Sequence, residues 1–418
     1  MLISKLLPVR RILFKELVRK TKHALGVLFL TGSGGALMAS EAPGHLAVME
    51  QFAAYKQDTE QQFLEYEAAL DKAYKEFAGQ IEETWGDQQL TDNHRWVQYS
   101  GDLKARTIVD YKSNQLVLEY TDVAIDETTE EDIEKGISEL MVTSLQGAIE
   151  NDQVLVQASV HSGVPLPKPE FDVPMLSWTS LQSQDTAVDA PLVAEKNSAE
   201  TENSSAVATN SDVKALISQA AKDYQVLSRR LTVVIELPEE FGVHKAKRFW
   251  PHTAKYAKQW KLEPALVMAI IHTESSFNPM ARSRIPAYGL MQIVPRTAGR
   301  DASKVIYGKS KLFDSGYLFN PENNIKVGAA YLHVLTNRYL KGIHNPESRL
   351  YCAVAAYNTG TANVASAFIG QKSMQKAFSH INHLEPSEVY DTLANNLPYD
   401  ETRSYLRKVI GRYQYYTN

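Results

Sequence analysis

The segment Ala265–His272, ALVMAIIH, is about as apolar as a helix in a soluble protein gets, and it runs almost straight into a carboxylate, Glu274. Pro264 precedes it and suits the first turn of a helix, where a missing N–H costs nothing. Leu262, Leu266, Ile270 and Glu274 recur every four residues, so Glu274 continues an apolar stripe. Asn278-Pro279 is placed to stop the helix soon afterwards. A carboxylate set against apolar side chains is poorly solvated when charged, which raises its pKa. A glutamate that stays protonated near neutral pH can act as a general acid toward a leaving oxygen. The commoner fate of an isolated helix-end glutamate is a solvated surface position. The rest of the chain decides between the two.

It supplies three further blocks. ARSRIPAYGLMQI contains Ser283, Gly289, Leu290, Met291 and Gln292. There Gly289 permits close backbone approach, Met291 offers adaptable apolar surface, and Gln292 is a two-way amide hydrogen-bonder. AVAAYNTG ends a small-residue helix on Tyr357 and Asn358, and LPYDETRSYLRKV places Tyr405 one turn after Glu401 and Thr402. Singly, such residues usually serve packing and capping. In this order after Glu274-Ser275 they form a set.

That set, E-S, G-L-M-Q, A-Y-N and P-x-x-E-T-R-x-Y, resembles the lytic transglycosylases of the soluble-lytic-transglycosylase, goose-lysozyme-like type, and YLFNPENNIKVGAAYL and NRYLKGIHNPESR narrow the match. The resemblance covers most of the chain after residue 40, but its motifs are far more specific in the second half. It implies a lysozyme-like helical domain that cleaves the glycan strand of peptidoglycan without a cofactor or metal. Glu274 matches the family's single acid/base and Ser275 follows it. Ser283, Met291 and Gln292 match positions along the glycan cleft. Tyr357 and Asn358 match the pair beside the acid, and Tyr405 the late tyrosine that points toward it. A-Y-N is followed here by Thr359-Gly360, where the family commonly has Gly-Gly. Ordinary glycosidases need two carboxylates. The only others near these blocks, Asp400 and Glu401, read as structural.

At 418 residues the chain has room for two or three domains. Arg10, Arg11, Lys15, Arg19, Lys20 and Lys22 precede ALGVLFLTGSGGALMAS, so residues 1–40 read as a secretory signal, with an uncleaved anchor as the alternative, and the destination as the periplasm or cell envelope of a Gram-negative bacterium. Relatives of this subtype are usually lipoproteins with a cysteine just after the signal. The sole cysteine here is Cys352, so that lipid is not expected, nor is a disulfide framework or a multi-cysteine metal site. A net charge of −5 offers no broad basic face for nucleic acid.

The fold class expected is α+β, a small N-terminal domain with antiparallel strands ahead of a mainly α-helical, lysozyme-like domain. Within 41–181, apolar and aromatic residues from Val48 to Ile81 repeat at three- and four-residue steps, RTIVDY and QLVLEY flank a turn at Lys112-Ser113-Asn114, and Thr128 and Glu131 form a capping box. Residues 182–212, rich in Ser, Ala, Thr, Asn and Asp, read as a flexible linker. Residues 213–243 read as a connection whose RRLTVVIEL forms one more strand of the first sheet, and 244–418 as the catalytic domain. His272-x-Glu274 echoes a zinc deaminase, but P-C-x-x-C is absent, as is the H-E-x-x-H of a zincin. The expected partner is the peptidoglycan glycan strand, with cell-wall machinery a further possibility. Two rival functions use the same residues: a hydrolytic muramidase and a non-catalytic peptidoglycan-binding scaffold.

Overall fold

In the computed structural model the chain is described over residues 43–121, 130–169, 172–176, 221–225, 230–284 and 286–417, with the backbone alone for 43–59, 130, 221–225 and 239–240. The expected signal, the 182–212 linker and the Thr128 cap lie outside these residues. Helix α1 (Pro43–Trp85) is followed by strands β1 (Arg95–Tyr99), β2 (Ala105–Asp110) and β3 (Gln115–Thr121), then helices α2 (Glu130–Val142), α3 (Leu145–Glu150) and α4 (Gln153–Ser162). Strands β4 (Ala221–Gln225) and β5 (Arg230–Glu236) complete an antiparallel sheet of order β1-β2-β3-β5-β4.

Alternation along the strands decides which faces are buried. Trp96, Val109, Leu116, Leu118, Val233 and Ile235 face the core that also holds Ile133, Ile137, Leu145 and Ile149 of α2 and α3. Val97, Tyr99 and Ile108 face the other way, onto Tyr66, Ala73, Phe77, Ile81 and Trp85 of α1 and Val154 and Ala158 of α4. The expected hairpin is present. β5 returns to the sheet beside β3, with Leu116 opposite Ile235 and Leu118 opposite Val233.

The helical part begins with α5 (Glu239–Trp260), five residues earlier than expected at His244. Pro238 sits just ahead of its first turn, where proline is tolerated, and Gly242 is carried within it. It continues through α6 (Pro264–Ser275), α7 (Arg300–Tyr307), α8 (Ser315–Phe319), α9 (Pro321–Val334), α10 (Pro346–Thr359), α11 (Thr361–Ile369), α12 (Met374–Ile381), α13 (Pro386–Asn396) and α14 (Asp400–Thr417).

Residues 59–418 form one compact unit; the residues before Thr59 are a separate one, of which only the start of α1 is described. Within the larger unit the sheet and the helices share one core. Asp152 caps α4, accepting from the Leu155 N–H at 3.0 Å, and meets the Arg282 guanidinium at 3.0 Å with both side chains buried. Lys245 of α5 reaches the hairpin, donating to the Tyr111 carbonyl and, at 2.6 Å, to Asn114 Oδ1. Gly316 of α8 packs on Pro167 and Lys168, where an added Cβ would stand 3.1 Å from either. No helix among the described residues is long and apolar enough to cross a membrane.

Candidate active site

Helix α6 is buried from Ala265 through Ile271, with Pro264 in its first turn. It ends abruptly because Ser276 (φ 50°) and Phe277 (φ 71°) both take left-handed backbone, which costs a non-glycine residue about 1–2 kcal/mol. Several contacts hold this turn. Ser275 Oγ donates to the Leu290 carbonyl at 2.8 Å and accepts from the Phe277 N–H at 3.2 Å. Asn278 Nδ2 donates to the Asp92 carbonyl at 3.3 Å, and Ser276 Oγ lies 3.3 Å from His94 Nδ1. The Phe277 ring stacks on Phe249 of α5.

Glu274 projects from the last turn. Its side chain lies deep in the protein yet keeps part of its surface open to solvent. Burial is the main reason its pKa rises from the ordinary 4.5 to about 8; exposed Glu401 adds a smaller push upward, and Tyr405 opposes both. The Tyr405 hydroxyl is buried and completes no hydrogen bond, but it lies near enough to favour the ionised carboxyl. Tyr357 also feels the charge of Glu274, which together with burial holds its phenol well above the ordinary range.

The G-L-M-Q block forms a tight turn in which Gly289 (φ 71°) and Gln292 (φ 45°) are left-handed. One side chain that the sequence reading did not single out organises it. Asn324 of α9, fully buried, accepts from the Met291 N–H at 2.8 Å and donates at 2.7 Å to the carbonyls of Tyr288 and Leu318. Tyr357 adds a fourth tie, its hydroxyl donating to the Met291 carbonyl at 2.8 Å. The signal was in NPENNIKVGAAYL: a polar amide one turn inside an apolar helix needs partners when buried.

The expected site residues fall into two groups. Glu274, Tyr357 and Tyr405 come together. Gln292 donates Nε2 to the Gly289 carbonyl at 3.0 Å and leaves its buried Oε1 without a partner. Ser283, half-buried, accepts from the Ala287 N–H at the edge of the same turn. Ser275 is fully buried with its hydroxyl spent on the backbone. Met291 differs from the expectation of a side chain lining the cleft. It offers no open apolar surface; its side chain packs against Gly328 of α9. Asn358 is exposed at the end of α10, accepting from Thr402 Oγ1 at 2.7 Å, and Gly360 turns the chain with φ 81°. Glu401, the nearest further carboxylate to act on Glu274, is exposed. A carboxyl that holds its proton near neutral pH and keeps one side open to solvent is equipped to donate a proton to a bound oxygen.

Comparison with known proteins assigns both parts. Residues 252–380, which include every residue above except Tyr405, Thr402 and Glu401 of α14 and Asp92 and His94 of the N-terminal part and Phe249, match the family described as Transglycosylase SLT domain. Residues 63–148 match the N-terminal domain of membrane-bound lytic murein transglycosylase C. The membrane-bound lytic murein transglycosylase C of Yersinia pestis (strain Pestoides F) is 44% identical over 177 residues, covering 42% of this chain and 49% of that protein. The chain thus spans about half the length of the curated relatives it matches. Among solved structures, an inactive mutant of the lytic transglycosylase Slt from Pseudomonas aeruginosa is 28% identical with a TM-score of 0.31, over 40% of this chain and 23% of that one. The 70-kDa soluble lytic transglycosylase from Escherichia coli is 24% identical with a TM-score of 0.31, over 41% of this chain and 25% of that one. Two stretches of the chain thus match, in order, the N-terminal domain of membrane-bound lytic murein transglycosylase C and the transglycosylase SLT domain.

Proposed function

We propose that this chain is a lytic transglycosylase of the cell envelope that cleaves the bond between N-acetylmuramic acid and N-acetylglucosamine in peptidoglycan, with Glu274 as its single acid/base. The observation that carries this reading is the Glu274 carboxyl, deep in protein, open on one side and protonated up to a pH of about 8. Glu274 gives its proton to the glycosidic oxygen as the C1–O bond breaks. The substrate's N-acetyl oxygen supports the anomeric carbon. The ionised Glu274 then takes the proton of the C6 hydroxyl, whose oxygen bonds to C1 and closes the 1,6-anhydro ring. That nucleophile belongs to the substrate, so it enjoys a large effective concentration and no second carboxylate is needed. Gln292 and Ser283 hold the glycan. Tyr405 favours the ionised intermediate state of Glu274. Ser275, Gly289, Met291, Tyr357 and Asn358 hold the acid and the turn beside it.

The test is mass spectrometry of products from purified sacculi. Muropeptides ending in 1,6-anhydromuramic acid are expected. Reducing-end products would mean that water is the nucleophile and the chain a muramidase. Absence of any release, with sacculus binding retained, would make it a scaffold.

Tyr405→Phe gives a finer check. Removing a hydroxyl that favours the carboxylate should raise the Glu274 pKa further. Activity that requires the protonated acid should then fail at a higher pH than in the parent, while kcat falls about tenfold because the carboxylate formed in the first step loses a stabilising group. A basic limb that stays in place or moves downward would remove Tyr405 from this role.

A further inference from the structure

Arg412 lies seven residues beyond Tyr405 on α14, about 10 Å further along the helix. Its Nη1 donates at 2.9 Å to the Oγ1 of Thr273, the residue before the acid, whose own proton goes to the Ala269 carbonyl at 2.7 Å. Among the described residues no carboxylate pairs with this half-buried guanidinium. Other arginines of similar burial are engaged. Arg106 holds Asp87 and Glu119, Arg282 meets Asp152, and Arg248 and Arg349 donate to backbone carbonyls. Arg412 has neither kind of partner.

Its neighbours supply no anion for it. Burial first, then Arg412, Lys245 and His94, hold His272 down at about 3, so its imidazole is neutral near neutral pH and offers Arg412 no charge partner. Burial likewise brings Lys245 down to about 8, with Asp110 opposing and Arg412 reinforcing. The nearest acids are already committed. Asp92 pairs with Arg95 at 2.7 Å, and Asp110 accepts from the Lys112 and Ser113 N–H groups. A cation at the C-terminal end of α6 would ordinarily be explained by the exposed carbonyls there. Arg412 donates to a side-chain hydroxyl instead, and among the described residues its guanidinium meets no other acceptor.

We propose that Arg412 binds a carboxylate of the peptide stem that the muramic acid carries. This rests on the reading of the chain as a peptidoglycan enzyme. A guanidinium presents a planar fork that matches a carboxylate. An extended peptide advances roughly 3.5 Å per residue, so a stem leaving a sugar beside Glu274 reaches Arg412 within about three residues.

The test measures binding, with turnover blocked by Glu274→Gln in the full chain. The ligands are soluble glycan strands bearing stems and the same strands stripped by an amidase. The parent is expected to prefer stem-bearing strands by about tenfold, the contribution of one charge-assisted contact. Adding Arg412→Gln should bring that ratio close to one, and Arg412→Lys should restore part of it. A ratio unchanged by Arg412→Gln, or a parent without preference, overturns this proposal alone. A parent that binds neither strand overturns the peptidoglycan reading together with it.

Discussion

Replacing Glu274 with glutamine should abolish turnover and, at alkaline pH, make the protein more stable. The first effect follows from the proposed mechanism. Glutamine keeps the shape of the side chain but has no proton of suitable acidity, so a loss of at least about 10³-fold is expected, with binding of the glycan retained. The second follows from linkage. The folded-state pKa is about 8 against an ordinary 4.5, so between those values the folded chain binds more protons than the unfolded one. Stability therefore falls as pH rises through that window. Below about 4.5 the carboxyl is neutral in both states and there is no penalty; above about 8 the full penalty is present. The shift corresponds to several kcal/mol, and the solvent-open side of the carboxyl reduces this to about 2 kcal/mol. Melting curves of parent and variant at pH 5, 7 and 9 check it. The variant should gain on the parent by a few degrees between pH 5 and pH 9. A gap that is constant across pH, or one favouring the parent at pH 9, would falsify the assignment of a buried, destabilising acid.

That acid was legible because its signal is local. An apolar run ending on Glu274 needs only helical periodicity to be read, and the E-S and G-L-M-Q spacing carried the resemblance. The partners of the acid were less legible, for physical reasons. Met291 and Ser275 sit in the motif, yet whether a methionine lines a cleft or packs inward depends on what faces it, and what faces it is Gly328, 37 residues on. Asn324 carries no local mark of its task, since its three hydrogen bonds reach residues 6 to 36 positions away. Strand β1 (RWVQY) and β4 (AKDYQ) are too short to show a period alone, and both are strands through their neighbours β2 and β5. β5 was legible because Leu231, Val233 and Ile235 alternate cleanly. Sequence order also hides the contacts of Asp92 and His94 with the turn after Glu274, about 180 residues away.

Gly289→Ala should cost far more than a positive φ alone explains. Gly308 supplies the comparison. It caps α7 with φ 69°, and a Cβ there would meet nothing within 4 Å, so Gly308→Ala carries only the backbone penalty of about 1–2 kcal/mol. Gly289 has nearly the same φ of 71°, but its Cβ would stand 2.4 Å from the Leu318 carbonyl and 2.4 Å from Asn324 Nδ2. The carbonyl is backbone and cannot swing aside. The amide could turn, but only by abandoning the hydrogen bonds that hold Met291 N–H and the Tyr288 and Leu318 carbonyls, each of which is left unsatisfied in a dry interior. Backbone strain, overpacking and lost hydrogen bonds together should amount to about 4–5 kcal/mol. The damage is also directed. The same Asn324 bonds fix the turn that carries Gln292 and receives the Tyr357 hydroxyl, so activity should fall even in the fraction that folds. Urea unfolding of both variants, with specific activity measured on the folded fraction, separates the two contributions. Equal losses at Gly289 and Gly308 would mean that close approach around Asn324 does not govern the turn, and the acid's neighbourhood would then need another organiser.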